Sequence, residues 1–158
     1  MTFVELMVVI AIMGIMTGIG FMSLQSSKSD ANLKAAQREV ASAIKLAQSY
    51  ALQGKIAPDG KAPCGYGFRF KTATDHEIFY KPTTGGKCDT PGASTQSEHS
   101  IWNNGVALDA SSQINMNDEI YFTIPFGTMS GTGIISLSYP GATDKTITIN
   151  SGGKVTEN

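Results

Sequence analysis

The longest apolar stretch of the chain lies near its start. From Leu6 to Leu24 the residues are apolar or glycine apart from Thr17 and Ser23, and Glu5 is the one ionisable side chain before Lys28. At about 1.5 Å per residue, a helix of this length reaches roughly the hydrocarbon thickness of a bilayer, so the run is long enough to span one. The pattern then changes without a break. Between Asp30 and Gln53, apolar or small side chains return at Leu33, Ala36, Val40, Ala43, Ile44, Ala47 and Ala51, steps of three and four that mark one helix face. Lys34, Arg38, Lys45 and Gln48 fall on other faces. No proline occurs before Pro58, and Gly54 stands where a C-terminal cap belongs. The pattern predicts a single helix of about 50 residues, near 80 Å long, apolar all round in its first half and amphipathic in its second. The second half is expected to pack on a globular domain, and the first to be buried in lipid or in other copies of itself.

After Gly54 the helical period gives way to alternation. "YGFRFK" puts Tyr66, Phe68 and Phe70 on one face, and "EIFYK" follows the polar break "TATDH", which reads as a hairpin. Further strands are predicted over 100–108, 119–125, 133–139 and 145–150. "KPTTGGKCDTPGASTQSE" reads as a long exposed loop. The expected fold class is α+β, a long N-terminal helix packed on an antiparallel β-sheet head. Its segments are an apolar helix half over 1–27, an amphipathic half over 28–54 and a β-rich head over 55–158.

Composition and charge narrow the function. With 158 residues, 41% hydrophobic and 16% charged, the chain has room for one sizeable domain plus an appendage. The net charge is -1 and the lysines are dispersed, so no basic tract marks nucleic acid as the default partner. There is no G-x-S-x-G, Walker A or H-E-x-x-H motif, and Asp118 and Glu119, adjacent on a strand, would point to opposite faces. We therefore expect no enzyme, no cofactor and no metal. Cys64 and Cys88, the two cysteines, suit one disulfide in an oxidising compartment, with two unpaired buried thiols as the alternative. Zinc is disfavoured because C-x-x-C is absent and His76 and His99 lack ligand spacing around these cysteines.

Within the apolar run, Gly14 and Gly18 form a G-x-x-x-G that offers a close-packing helix face, while Gly14, Gly18 and Gly20 each lower helix propensity by about 1 kcal/mol. Either packing or local unwinding fits these positions. A removable secretory signal would need a basic segment before the run and a small-residue cleavage site after it, and neither is present. An uncleaved anchor accounts for the run and for Lys28 just after it, but gives no reason for Glu5.

The opening "TFVELMVVIAIMGI" resembles the N-terminus of mature type IV pilins and type II secretion pseudopilins, with glutamate at position five and glycine at fourteen. "AAQREVASAIKLAQSYAL" is similar to the H-type pseudopilins and their pilus counterparts, and "YFTIPFGTMSG" and "TITINSGGKV" look like paired strand motifs of that subfamily. The chain departs from the family at Met1, where phenylalanine is commonest, and at Met22, where many pilins carry a helix-bending proline. The resemblance implies a pilin fold and a leader removed by a prepilin peptidase just before Met1, whose amine is then methylated. It also implies residence in the inner membrane, then assembly by an ATPase and a platform protein into a homo-oligomeric helical filament. In such a filament Glu5 would pair with the Met1 ammonium of a neighbour. The expected function is a structural subunit of an extracellular type IV pilus serving adhesion, motility or uptake. The alternatives are a minor pilin or H-type pseudopilin of a secretion system and, less favoured, a DNA-binding tip subunit. The tail "NSGGKVTEN", with one lysine and one glutamate, lacks the basic cluster DNA binding would need.

Overall fold

The computed structural model describes residues 2–88, 93–101, 105–129 and 132–158, and of residues 19–23 the backbone alone. One helix, α1 (Phe3–Gln53), runs for 51 residues. It starts at a capping box: the Glu5 carboxylate accepts the backbone N–H of Thr2 at 2.8 Å, and the Thr2 hydroxyl oxygen accepts the backbone N–H of Glu5 at 3.4 Å. It stops at Gly54, whose φ of 59° turns the chain left-handed. That turn lets Gly54 and Lys55 donate to the carbonyls of Ala51 and Tyr50.

The face of α1 turned to the head carries Leu33, Ala36, Val40, Ile44, Ala47 and Ala51, all buried, with Ala43 partly so. Gln37 is buried beside them, and its side-chain amide donates to the carbonyls of Thr146 and Asn158, each at 2.9 Å. A polar residue on this face is thus satisfied by strand backbone.

Eight strands follow: β1 (Pro63–Thr72), β2 (Asp75–Pro82), β3 (Thr95–Ile101), β4 (Ala107–Leu108), β5 (Glu119–Thr123), β6 (Gly133–Ser138), β7 (Lys145–Ile149) and β8 (Val155–Glu157). They form two antiparallel sheets, ordered β3-β2-β1-β5 and β4-β6-β7-β8, where the sequence led us to expect one. The predicted strand over 100–108 is divided: β3 ends at Ile101 in one sheet, β4 begins at Ala107 in the other, and 102–104 lie outside the described residues. The predicted loop over 81–98 gives up its last residues to β3, and the short β8 was not anticipated. Alternation identifies a strand but carries no label for its partner, so the division into two sheets is invisible to it.

Both sheets share one core with α1. Tyr66, Phe68 and Phe70 of β1 are fully buried, facing Ile78 and Tyr80 across β2 and Ile120 and Phe122 across β5. The second sheet contributes Ile135, Leu137, Ile147 and Ile149. The other face of β1 is built differently. A side chain on Gly67 would fall on the Phe79 ring, so the glycine leaves room for that aromatic to lie flat on the strand. Beyond it, Arg69 forms ion pairs with Glu77 and with Glu119, the latter at 3.2 Å, and Lys81 reaches Glu119 at 2.7 Å. A Cys64–Cys88 disulfide ties β1 to the loop after β2.

Three stability effects are expected in thermal melts of the full chain in detergent, followed by circular dichroism. Ile44→Ala, which empties a fully buried site, should destabilise by about 2–5 kcal/mol. Gly67→Val should be at least as damaging, because strand backbone as well as Phe79 blocks the new side chain. Replacing both cysteines by serine should remove about 3 kcal/mol, the loop-closure contribution of the disulfide.

Candidate functional site

Among the described side chains, burial of α1 against the head begins at Ser29, and all of them from Thr2 to Lys28 are exposed. Twelve of these, Phe3, Val4, Leu6, Met7, Val8, Val9, Ile10, Ile12, Met13, Ile15, Met16 and Leu24, are large and apolar, with exposures from 47% at Val9 to 74% at Phe3. They surround the helix instead of forming a stripe. Fully burying a side chain of this size is worth about 1.5–3 kcal/mol, so covering the set is worth tens of kcal/mol gross, before the entropy of association is set against it. A surface of this kind calls for an apolar partner along its whole length.

Its polar groups make few demands. The Thr17 hydroxyl donates to the Met13 carbonyl at 2.6 Å and is thus satisfied inside the helix. Glu5 is occupied by the cap of its own chain, in a T-x-x-E pattern that is legible in the sequence and that the charge-based reading passed over. Met1, the expected partner of a neighbour's Glu5, lies outside the described residues. A Cβ placed on Gly14 or Gly18 meets nothing within 4 Å, so both open directly onto the helix surface, while the surroundings of Gly20 fall among the undescribed side chains. Among the described residues no helix is long and apolar enough to cross a membrane; the run from Leu6 to Leu24 includes 19–23, whose side chains lie outside the described residues.

A concave feature lies where α1 runs beside the edge strand β3. A groove of about 220 Å³ is lined by Glu39, Ala43 and Leu46 of the helix, His76 and Ile78 of β2, and Glu98 and His99 of β3. The Ser100 hydroxyl donates to Glu39 at 2.8 Å, the Tyr50 hydroxyl donates to Glu98 at 2.6 Å, and Lys55 stands 3.7 Å from Glu98 and over the Tyr50 ring. His99 reaches Asp75 at 2.7 Å. His76 is buried against Phe68, and this burial pushes its imidazole below the ordinary value of 6.5. His99 acts in the same direction, while the charges of Glu39 and Asp75 oppose it. Among the described residues, no group of three or more His, Cys, Asp or Glu is placed to hold a metal ion.

Compared with known protein families, characterised proteins and solved structures, the chain matches none.

The histidine sets an acid sensitivity with a defined window. Because folded His76 binds a proton less readily than the unfolded chain does, its contribution to stability is complete above 6.5 and is lost as pH falls through its depressed value. Glu119 acts lower on the scale. Burial raises its pKa, but hydrogen bonds from Lys81 and Ser94 and the charges of Lys81 and Arg69 outweigh this and leave it below 4.5. Its contribution is therefore lost only under more acid conditions. Melting temperature should fall between pH 7 and 5, and His76→Gln should flatten that fall while leaving the loss below pH 4.5 in place. An unaltered slope in the variant would assign the effect to other groups.

Proposed function

We propose that this chain is a structural subunit that polymerises through the exposed half of α1 into a type IV pilus-like filament, with a pilin fold as its architecture. The observation that carries the reading is the continuity of one helix across two surfaces. Its second half is buried on an α+β head, and its first half presents apolar side chains on all sides. The pilin-like N-terminal sequence supports the same reading. In the filament the first halves bundle into an apolar core and the heads form the outer surface. Before assembly the run from Leu6 to Leu24 resides in the inner membrane, awaiting an assembly ATPase and platform protein after peptidase cleavage. Glu5 then exchanges its own cap for the Met1 ammonium of a neighbour, which fixes the stagger between copies, since a misplaced neighbour leaves two charges unpaired.

A second reading, a minor pilin or H-type pseudopilin, rests on the resemblance of two sequence stretches to that subfamily. "YFTIPFGTM" covers the end of β5 and the turn after it, and "TITINSGGKV" covers most of β7, its turn and the start of β8.

Electron microscopy of sheared extracellular material, with mass spectrometry of its protein, tests the proposal. Filaments composed mainly of this chain, with a methylated Met1, are expected. Trace amounts, or confinement to the envelope, would move the assignment to the minor-subunit reading. Ile10→Glu should lower filament yield by roughly tenfold or more, the factor that about 1.4 kcal/mol produces, without changing the melting of the head. Glu5→Ala should also assemble poorly, and normal assembly of that variant would remove the pairing role.

A further inference from the structure

Above the apolar stalk, α1 carries two flanks of opposite charge. Lys34, Arg38 and Lys45, at steps of four and seven, lie along one exposed strip beside β8. Lys34 is held by Asp30 at 2.7 Å and Lys45 by Glu157 at 3.5 Å, while Arg38 makes no ion pair among the described residues. One residue further, about 100° around the helix, Glu39 opens the groove against β3. Glu39 accepts the Ser100 hydroxyl and likewise makes no ion pair among the described residues. Behind it lie the apolar side chains of Ala43, Leu46 and Ile78, with Glu98 as a second carboxylate.

We propose that this groove receives the basic strip of a second copy of the chain, with Arg38 of the partner subunit seated on Glu39. The inference rests on the filament reading and names a contact within it. Charge complementarity selects the occupant: a guanidinium and a carboxylate that make no ion pair among the described residues sit on different flanks of the same helix, so parallel copies side by side bring one against the other. An arginine fits the groove in both its parts. Its methylene stem lies along Ala43, Leu46 and Ile78, and its planar head makes two parallel hydrogen bonds to a carboxylate. Because strip and groove are different surfaces, the contact is heterologous and each copy offers the next an unused groove, which yields an open helical polymer.

The test uses the full chain, expressed in producing cells with Arg38→Cys and Leu46→Cys combined. Eight residues apart on one helix is about 12 Å, beyond the reach of a disulfide, so a new bridge must join two chains. Oxidised, sheared filaments are expected to run as a ladder of covalent multimers on non-reducing gels, and the pairing of Arg38→Cys with Lys61→Cys should give none. Filaments without a ladder overturn this contact and leave the filament reading standing, whereas absence of filaments from the unaltered chain overturns the filament reading itself. Should the cysteine pair stop assembly, charge reversal decides. Arg38→Glu and Glu39→Lys expressed separately should each reduce filament yield by about tenfold, and co-expression should restore it because each variant then complements the other. Undiminished yield from Arg38→Glu overturns the proposal.

Discussion

Burial of one face of α1 is the contact on which the rest of the head depends. The two sheets have no strand in common, and both lay apolar residues on the same stretch of helix, from Leu33 to Ala51. Small residues at Ala36, Ala47 and Ala51 let strands approach the helix axis closely, while Leu33, Val40 and Ile44 fill the gaps between aromatic and aliphatic strand residues. Gln37 adds direction to this otherwise non-directional contact. By bonding two carbonyls on neighbouring backbone, it fixes how the second sheet sits along the helix.

The same helix carries a surface that the head leaves uncovered. No cap or chain break separates the two halves, so anything that grips the first half holds the head at a set distance and angle. Under the filament reading, this rigidity converts a packing preference between stalks into an ordered array of heads. In that array the flanking charges beside the groove would act further along the helix than the stalk contacts. In such a filament the stalk contacts would supply most of the apolar burial, and the outer contacts would restrict which neighbour is accepted.

Much of this was legible in the sequence. The length of α1, its cap at Gly54, the face from Leu33 to Ala51 and the β1–β2 hairpin all follow from local periodicity and turn chemistry, which act within a few residues. What stayed hidden is non-local. Nothing in the string around 100–108 records that β3 pairs with β2 while β4 pairs with β6, because pairing is decided by the packing of distant segments. Gln37 was unremarkable until its two carbonyl partners, more than 100 residues away, were in place. The groove likewise needs α1 and β3 together. The capping role of Glu5 is different in kind: its T-x-x-E spacing is local and stands in the sequence itself.

That cap has an electrostatic consequence for any parallel bundle. A long helix behaves as though it carries about half a positive charge at its N-terminus, and aligned helices bring those ends side by side in a medium of low dielectric, where they repel. Glu5, bonded to the first turn of its own helix, places a full negative charge against that pole. In a parallel bundle each helix would thus bring its own counter-charge to that pole, which would reduce the repulsion between aligned N-termini before two copies meet.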